Sequence, residues 1–351
     1  MHMADVLLSP GVAATMYAAS GTAAGVSINR LRRENEPEKL PVMAVSAAMV
    51  FAGQMINYTI PGTGSSGHIC GGILLSALLG PYAGFLSMIA VLVVQCLFFA
   101  DGGLLALGAN IWNMAFYGCF VGYFLIWRPI MKGKALSSLP VSARITAAAV
   151  LGCIVSLQLG ALSVVIETSL SGITDLPFGP FVGVMLPIHL AIRLVEGLIT
   201  AAVLVFVYKA RPELIKDADE SAGNSMSLKA VLCILAVVTL FVGGGLSLYA
   251  SGNPDGLEWA LFGNREAGYA ENMALDEEAF GVESSAAETA AQVQETTSFL
   301  PDYAFKDNDS ALGTTVSGVV GSVVVAGCAL LLSCIFGFFR KRNAAGRADV
   351  N

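Results

Sequence analysis

The sequence predicts an all-α membrane protein, a polytopic helical bundle of about nine transmembrane helices arranged as seven plus two. Hydrophobic residues make up 55% of the 351 residues and charged residues only 13%, and the mean hydropathy is +0.71. The charges occur in blocks between apolar runs of roughly 18 residues or more, the length that spans a bilayer. The runs are continuous and not alternating, so helices rather than barrel strands must satisfy the backbone in lipid.

Each apolar run predicts one span. The predicted spans are 10–29, 41–60, 69–80, 83–101, 106–127, 143–166, 184–208, 228–250 and 315–339. The third run is short and ends at Gly80 and Pro81. We therefore expect a half-helix or a tilted piece there, which membranes tolerate only where protein covers it.

The basic residues orient the bundle. Sixteen of the 19 Lys and Arg residues gather at 30–39, 128–144, 209–229 and 340–347. All four clusters lie on one side of the nine-span arrangement, and the positive-inside rule makes that side cytoplasmic. The N-terminus is then outside and the C-terminus inside. The first span is not expected to be a cleaved signal peptide, because a basic cluster follows it and none precedes it.

The segment 251–314 is predicted to lie outside and is strongly acidic. It contains 13 Asp or Glu residues against Arg265 and Lys306. One interpretation is a solvated, partly disordered loop, above all in the small and polar stretch Ala286–Thr297. The other is a weak attractor of cations above an entry site, because a negative field raises the local cation concentration.

Met1, His2 and His68 are the candidate metal ligands. The amine of Met1, the backbone nitrogen of His2 and its imidazole form a five-membered and a six-membered chelate ring if the amide is deprotonated. One corner of the plane stays open, and His68 lies in a glycine-rich loop on the same predicted face. Four nitrogens in a plane suit Ni(II) or Cu(II), with Co(II) as a competitor. The alternative is that His2 is an accident of the start of the chain.

Five polar residues are candidates to support the site without touching the metal. They are Asn57 and Ser66 near the His68 loop, and Asp101, Asn110 and Asn113 at or within the bilayer edge. Polar groups at that depth are costly and usually face a protein interior. They either orient a ligating imidazole or tie helices together, and the sequence leaves both roles open.

His189, Arg193 and Glu196 share one face of the seventh predicted span, being four and three residues apart. An internal ion pair of Arg193 with Glu196 is the favoured interpretation, and His189 as a ligand is the alternative. In the second span, Ala44, Ala48 and Ala52 form a strip of small residues that lets another helix approach closely. We expect that strip to dock a separate membrane subunit.

The sequence lacks the motifs of several other classes. It has no GxxxxGK[ST] phosphate loop, no GxSxG and no HExxH, so neither ATP hydrolysis by that route nor those hydrolase mechanisms are expected. No basic and aromatic groove suggests nucleic acid. The seven Cys show no CxxC pairing and lie in or beside apolar runs, where a thiol is usually a small hydrophobe.

Several runs together resemble the cobalt/nickel substrate-binding membrane subunit (M type) of energy-coupling factor (ECF) transporters. They are Met1-His2, Phe51–Asn57, Pro61–Gly72, Phe99–Leu104, Leu107–Asn110 with Asn113-Met114, and His189 with Glu196–Thr200. The run Ala250–Ala260, between two apolar helices, resembles the accessory N-type subunit of the same systems. The resemblance thus implies a metal-binding domain at 1–215 fused to an accessory two-helix domain at 216–351.

The resemblance implies a function as well. The metal would sit in a square of nitrogens from Met1, His2 and His68, as transported Ni²⁺ or Co²⁺. A membrane-embedded coupling subunit and cytoplasmic ATPase subunits would be the partners, in a prokaryotic cell (inner) membrane, and the chain itself would not be an enzyme. Cys70 stands where the family would have an apolar residue. A thiolate there would favour a softer metal, but a buried thiol is the favoured interpretation.

Two other functions are compatible with the composition. A self-contained, ion-coupled secondary carrier would need intramembrane acids, and Glu196 is the one acid deep in a predicted span. A membrane metal sensor would need no transport partners. The choice between Ni²⁺ and Co²⁺ depends on geometry that the residues alone do not fix.

Overall fold

The computed structural model describes residues 1–33, 39–174, 176–218, 226–265, 268, 284–306 and 311–348, with side chains to Leu331. The helices are α1 Pro10–Leu31, α2 Lys39–Gln54, α3 Gly72–Leu79, α4 Pro81–Phe99, α5 Leu107–Lys132, α6 Val141–Ser171, α7 Phe178–Ala210, α8 Leu228–Gly244, α9 Gly256–Phe262, α10 Ser285–Thr297 and α11 Ala311–Ala348. Two short strands, β1 Tyr58–Ile60 and β2 Ser65–Gly67, lie between α2 and α3.

The fold is that of a helical membrane protein. Within the described residues, α4, α5, α6, α7 and the 311–331 part of α11 are long and apolar enough to cross a bilayer, and α2 and α8 are shorter apolar helices. Helices occupy all nine predicted positions, but the number that span a membrane and their orientation stay predictions. The short helix α3 is buried along its whole length, as expected for a piece that protein must cover.

The second predicted span ends earlier than expected, and the protein is not purely α-helical. Helix α2 ends at Gln54, and the next residues form an antiparallel hairpin that pairs Tyr58 with Gly67 and Ile60 with Ser65. The turn of the hairpin uses Gly62 and Gly64 at positive φ, which glycine adopts without steric cost. Strand β2 ends at Gly67, so the hairpin places His68 next to the helices.

The accessory helices α8 and α11 pack against α2. The predicted docking strip lies in this packing, since Ala44, Ala48 and Ala52 are all buried. A Cβ placed on Gly243 of α8 would lie 3.2 Å from the Cβ of Ala52. The structure therefore does not support docking of a separate subunit on this strip, because helices of the same chain already cover α2.

Part of the acidic segment 251–314 is helical, which contradicts the prediction of partial disorder for Ala286–Thr297. These residues form α10, whose first turn is capped by the Ser284 hydroxyl accepting from the Ala287 amide. Ala287, Ala290 and Gln294 on one face of α10 are buried. The remainder of this acidic loop, at 266–267, 269–283 and 307–310, lies outside the described residues.

Candidate metal site

The N-terminal segment runs into the bundle and is clamped there by Asn110. The Asn110 Oδ1 accepts from the Met3 amide at 2.8 Å, and its Nδ2 donates to the Met3 carbonyl at 3.2 Å. The Gly103 amide also donates to the Met3 carbonyl, at 2.9 Å. Asp5 accepts from the Ala106 amide at 3.0 Å. These bonds fix the depth at which the first two residues enter.

The terminal amine is buried against the accessory domain. The Met1 nitrogen donates to Asp255 Oδ2 at 2.5 Å. The Met1 side chain lies beside α7, where its Sδ accepts from Arg193 Nη2 at 3.2 Å. Burial alone would raise the pKa of Asp255, but its bonded terminal ammonium outweighs this effect and lowers that pKa.

The imidazoles of His2 and His68 lie face to face. Their ring centroids are 5.5 Å apart and their planes differ by 21°. His68 Nδ1 lies 2.8 Å from the Ile69 carbonyl, which only accepts, so Nδ1 carries the proton and Nε2 keeps a lone pair. His2 Nδ1 lies 3.1 Å from Asp101 Oδ1. The two rings are thus neighbours, although His2 Nδ1 faces Asp101 and not His68.

Both imidazoles are held neutral. Burial, together with the nearby terminal ammonium and His2, lowers the pKa of His68 to about 3. Burial also lowers the pKa of His2, although Asp101 opposes that shift. Neutral imidazole is the form that binds a metal ion, so both rings are ready to donate lone pairs near pH 7.

The predicted pair of Arg193 and Glu196 is present and holds the His68 loop. Arg193 Nη1 donates to Glu196 Oε2 at 2.8 Å and to the His68 carbonyl at 3.2 Å. Glu196 Oε1 accepts from the amides of Cys70 and Gly71, each at 2.9 Å. The pair therefore anchors the backbone on both sides of Ile69.

The hairpin can approach α7 because residue 67 is glycine. A Cβ on Gly67 would lie 2.5 Å from Ile192 Cγ2, closer than real Cβ atoms come. His189, four residues from Arg193, packs with its Nδ1 2.8 Å from the Met185 carbonyl. Its ring lies against Gly256 of the accessory domain. This arrangement gives His189 a packing role.

Cys70 is fully buried, and its Sγ donates to the Met114 carbonyl at 3.4 Å, as a protonated thiol does. A thiolate ligand at this position is therefore not supported.

Asp101 is the predicted supporting residue that touches a candidate ligand directly. Its Oδ1 faces His2, and its Oδ2 accepts from the Tyr303 hydroxyl at 2.5 Å. Gln294 of α10 docks on the neighbouring loop, donating to the Gly102 carbonyl at 2.8 Å. The acidic outer segment thus contributes Tyr303 and Gln294 to the surroundings of His2.

Asn57 and Ser66 hold the accessory domain instead of an imidazole. The Asn57 carbonyl accepts from the Ser251 amide at 2.7 Å. The Ser66 amide donates to the Pro254 carbonyl at 2.8 Å, and its hydroxyl donates to the Asn253 carbonyl at 2.7 Å. These contacts fix the segment between the C-terminal end of α8 and the start of α9 over the hairpin.

Asn113 contacts Glu167, a buried acid that was not predicted from the sequence. Its Nδ2 donates to Glu167 Oε2 at 2.7 Å, and it also contacts the Met3 sulfur at 3.7 Å. Helix α6 continues to Ser171, beyond the predicted end at 166, and buries Glu167. Glu196 is therefore not the only acid deep in a helix. Three polar residues, Glu167, Thr168 and Ser169, follow the predicted end, so the sequence offered no clear signal that the helix continues.

Asp255 was the other missed residue. The signal was its place in the run Pro254–Glu258, where an Asp before a helical stretch reads as an N-cap. A cavity of about 430 Å³ opens beside it. Its lining includes His2 together with Asp5, Asp101, Asp255 and Glu258. Both domains therefore contribute carboxylates to the lining of this cavity.

Side chains alone do not complete a metal site here. Among the described residues, no three His, Cys, Asp or Glu side chains converge as metal ligands. The two imidazoles need the backbone nitrogens of the N-terminus to reach four donors.

The apolar helices define a helical membrane protein, and His2, His68 and the buried Met1 amine form a small polar site within it. Residues 2–214 match the family described as the cobalt uptake substrate-specific transmembrane region, and residues 229–337 match the PDGLE domain. The chain belongs to this family of metal transport proteins, fused to the second domain, which confirms the predicted resemblance. It is a multi-pass protein of a prokaryotic cell membrane.

Individual relatives agree with this assignment. The fused nickel transport protein NikMN of Rhodobacter capsulatus is 32% identical over 347 residues, covering 94% of this chain and 96% of the relative. The cobalt transport protein CbiM of Sorangium cellulosum is 31% identical over 220 residues, 61% of this chain and 94% of its own length. The crystal structure of a truncated transition metal transporter matches 60% of this chain and 99% of its own, with 33% identity and a TM-score of 0.51.

Proposed function

We propose that this protein binds Ni²⁺ or Co²⁺ on the extracytoplasmic side as the substrate-binding subunit of an ATP-driven ECF importer. The observation that carries the proposal is the stacked pair of His2 and His68 beside the buried amine of Met1. Separate membrane-embedded coupling and cytoplasmic ATPase subunits would supply the energy, as the resemblance implies.

Four nitrogens complete the coordination plane. The Met1 amine and the His2 amide form the five-membered ring, and the amide with His2 Nδ1 forms the six-membered ring. His68 Nε2, whose lone pair is free of the Ile69 contact, takes the fourth corner. Amide and imidazole nitrogens in a plane favour Ni(II), and Co(II) is a competing ion for the same site.

Binding requires a change at His2. Its Nδ1 faces Asp101 in this structure, whereas the six-membered ring needs that nitrogen on the metal. A half-turn of the ring about Cβ–Cγ frees Nδ1 for the metal and leaves the ring N–H on Nε2. A hydrogen-bond acceptor for that N–H would then orient the ligating ring, as at other metal sites.

The test is metal binding by the protein with its native N-terminus. Acetylating the Met1 amine removes one donor, and His68→Ala removes another, so each change should weaken Ni²⁺ binding by a factor of about 10 to 100 or more, as expected for loss of metal-site groups. Isothermal titration in detergent measures the affinity. Wild-type affinity in both altered proteins would exclude this site.

A self-contained ion-coupled carrier is the second candidate, and buried Glu167 is the observation that favours it. A carboxylate inside a helical membrane protein often serves ion coupling, and Glu167 contacts Asn113 beside the N-terminal segment. Nickel uptake into proteoliposomes that lack any ATPase subunit decides between the two. If these proteoliposomes take up nickel and Glu167→Gln abolishes that uptake, the carrier is supported. If uptake occurs only with ATPase subunits and ATP, the importer is supported.

A further inference from the structure

The accessory domain reaches the candidate metal site through one fixed carboxylate. Asp255 caps α9, its Oδ1 accepting from the amides of Leu257 at 2.8 Å and Glu258 at 2.9 Å. Its Oδ2 accepts from the Met1 amine. Because the amides of α9 hold Oδ1, a rotation of the carboxylate that takes Oδ2 away from the amine would also break the cap.

The segment that carries Asp255 is itself held in place. Ser66 bonds to the carbonyls of Asn253 and Pro254, as described above. The next residue, Gly256, approaches α7 so closely that an added Cβ would lie 2.8 Å from Ile192 Cδ1 and 2.9 Å from His189 Cε1. The carboxylate is thus positioned by contacts that do not involve the N-terminus.

The charge at the site is the same before and after metal binding. The empty site contains a terminal ammonium and two neutral imidazoles, a total of one positive charge. A divalent ion bound to a neutral amine, a deprotonated amide and two neutral imidazoles also totals one positive charge. A buried charge without a partner is strongly unfavourable. A carboxylate at this position therefore suits both states.

The coordinated amine also keeps hydrogen-bond donors. An amine that gives its lone pair to a metal still carries two N–H groups, and one of them can donate to Asp255 Oδ2. Carboxylates that accept from metal-bound groups orient them and strengthen binding.

We propose that Asp255 is a positioning residue and counter-charge for the metal-binding amine, so that the accessory domain completes the site. This inference rests on the proposed function above. Asp255 would hold the amine inward in the empty protein and accept from it in the metal complex.

The test compares Asp255→Asn with Glu258→Gln in the full chain. Asn is as good an N-cap as Asp, so Asp255→Asn keeps the helix and removes the charge. Glu258→Gln removes the same charge from the same cavity, on the same helix. We expect Ni²⁺ affinity to fall by a factor of about 10 to 100 in Asp255→Asn and to stay near wild type in the control. Equal affinities in both variants, whether lowered or unchanged, would overturn the inference.

A second readout follows the amine itself without metal. An acylating reagent such as an N-hydroxysuccinimide acetate labels accessible amines, and mass spectrometry of the N-terminal peptide gives the rate at Met1. Labelling should be faster in Asp255→Asn and in Asp255→Ser, which keeps a hydroxyl cap, than in Glu258→Gln. Equal rates would contradict the contact.

The two proposals fail in different ways. If wild-type protein binds no Ni²⁺, the metal site is wrong, yet the labelling rates still test the contact between Asp255 and the amine. If wild-type protein binds Ni²⁺ and Asp255→Asn binds it equally well, the metal site stands and the role of Asp255 is refuted.

Discussion

Replacing Glu196 by Gln is expected to loosen the His68 loop. The Glu196 side chain is fully buried and accepts from the amides of Cys70 and Gly71 through one oxygen and from Arg193 through the other. Gln has nearly the same shape, but one of its two polar groups is a donor. It can serve the two backbone amides or Arg193, not both.

The magnitude follows from the charge that is left behind. If the Gln oxygen keeps the two backbone amides, Arg193 remains as a buried guanidinium without its partner charge. Breaking a buried ion pair from one side costs about 3–5 kcal/mol. If the oxygen turns to Arg193 instead, stranded backbone donors each cost about 1–3 kcal/mol. We therefore expect Glu196→Gln to destabilise the protein by about 3 kcal/mol or more.

Denaturant unfolding in detergent measures this loss, with Ni²⁺ affinity as a second readout for the loop. The matched control is Glu295→Gln on an exposed position of α10. Arg193→Met combined with Glu196→Gln removes the stranded charge, so the double variant should be less destabilised than the sum of the single variants by about 1 kcal/mol or more. A free energy of unfolding for Glu196→Gln within about 0.5 kcal/mol of wild type would refute the reasoning.

Two further predictions concern the hairpin and its histidine. Because unfolded His68 takes up a proton near pH 6.5 and folded His68 only near pH 3, stability falls as the pH drops below 6.5, by about 2 kcal/mol at pH 5. In His68→Gln, the free energy of unfolding should therefore fall less between pH 7 and pH 5 than in the wild type, by the contribution of His68. An equal fall in both proteins would contradict the burial of a neutral ring. Gly67→Ala places a methyl group against Ile192 and should cost about 1–3 kcal/mol and weaken Ni²⁺ binding. Gly11→Ala, where nothing lies within 4 Å of the added Cβ, is its control, and equal stability of the two Ala variants would disprove the close approach.

The sequence was informative wherever a single chemical rule applied. The blocks of charge between apolar runs predicted helices at the right places, and the spacing of Arg193 and Glu196 predicted their pair, because residues three apart share a helix face. The basic clusters predicted that His2 and His68 lie on the same face of the bundle, and the structure brings these two rings together. Which side of the membrane that face occupies stays a prediction.

The sequence could not reveal contacts between distant segments. Met1 and Asp255 are 254 positions apart, and no local pattern records that distance. Ala44, Ala48 and Ala52 form a real packing strip, but a strip does not specify its partner, and here helices of the same chain occupy it. Ala286–Thr297 lacks large apolar side chains, so its helix depends on a cap and on packing of small residues that composition does not predict.

The hydrogen bonds between the hairpin and the accessory segment connect two parts of one polypeptide. Tethering gives such partners a high effective concentration, which for short flexible linkers is in the millimolar range. Each metal site therefore has its own Asp255 at any protein concentration and in a fixed one-to-one ratio. Where the same two domains are separate chains, the same contact must be formed by collision in the membrane, and its occupancy would depend on how much of each chain the cell makes.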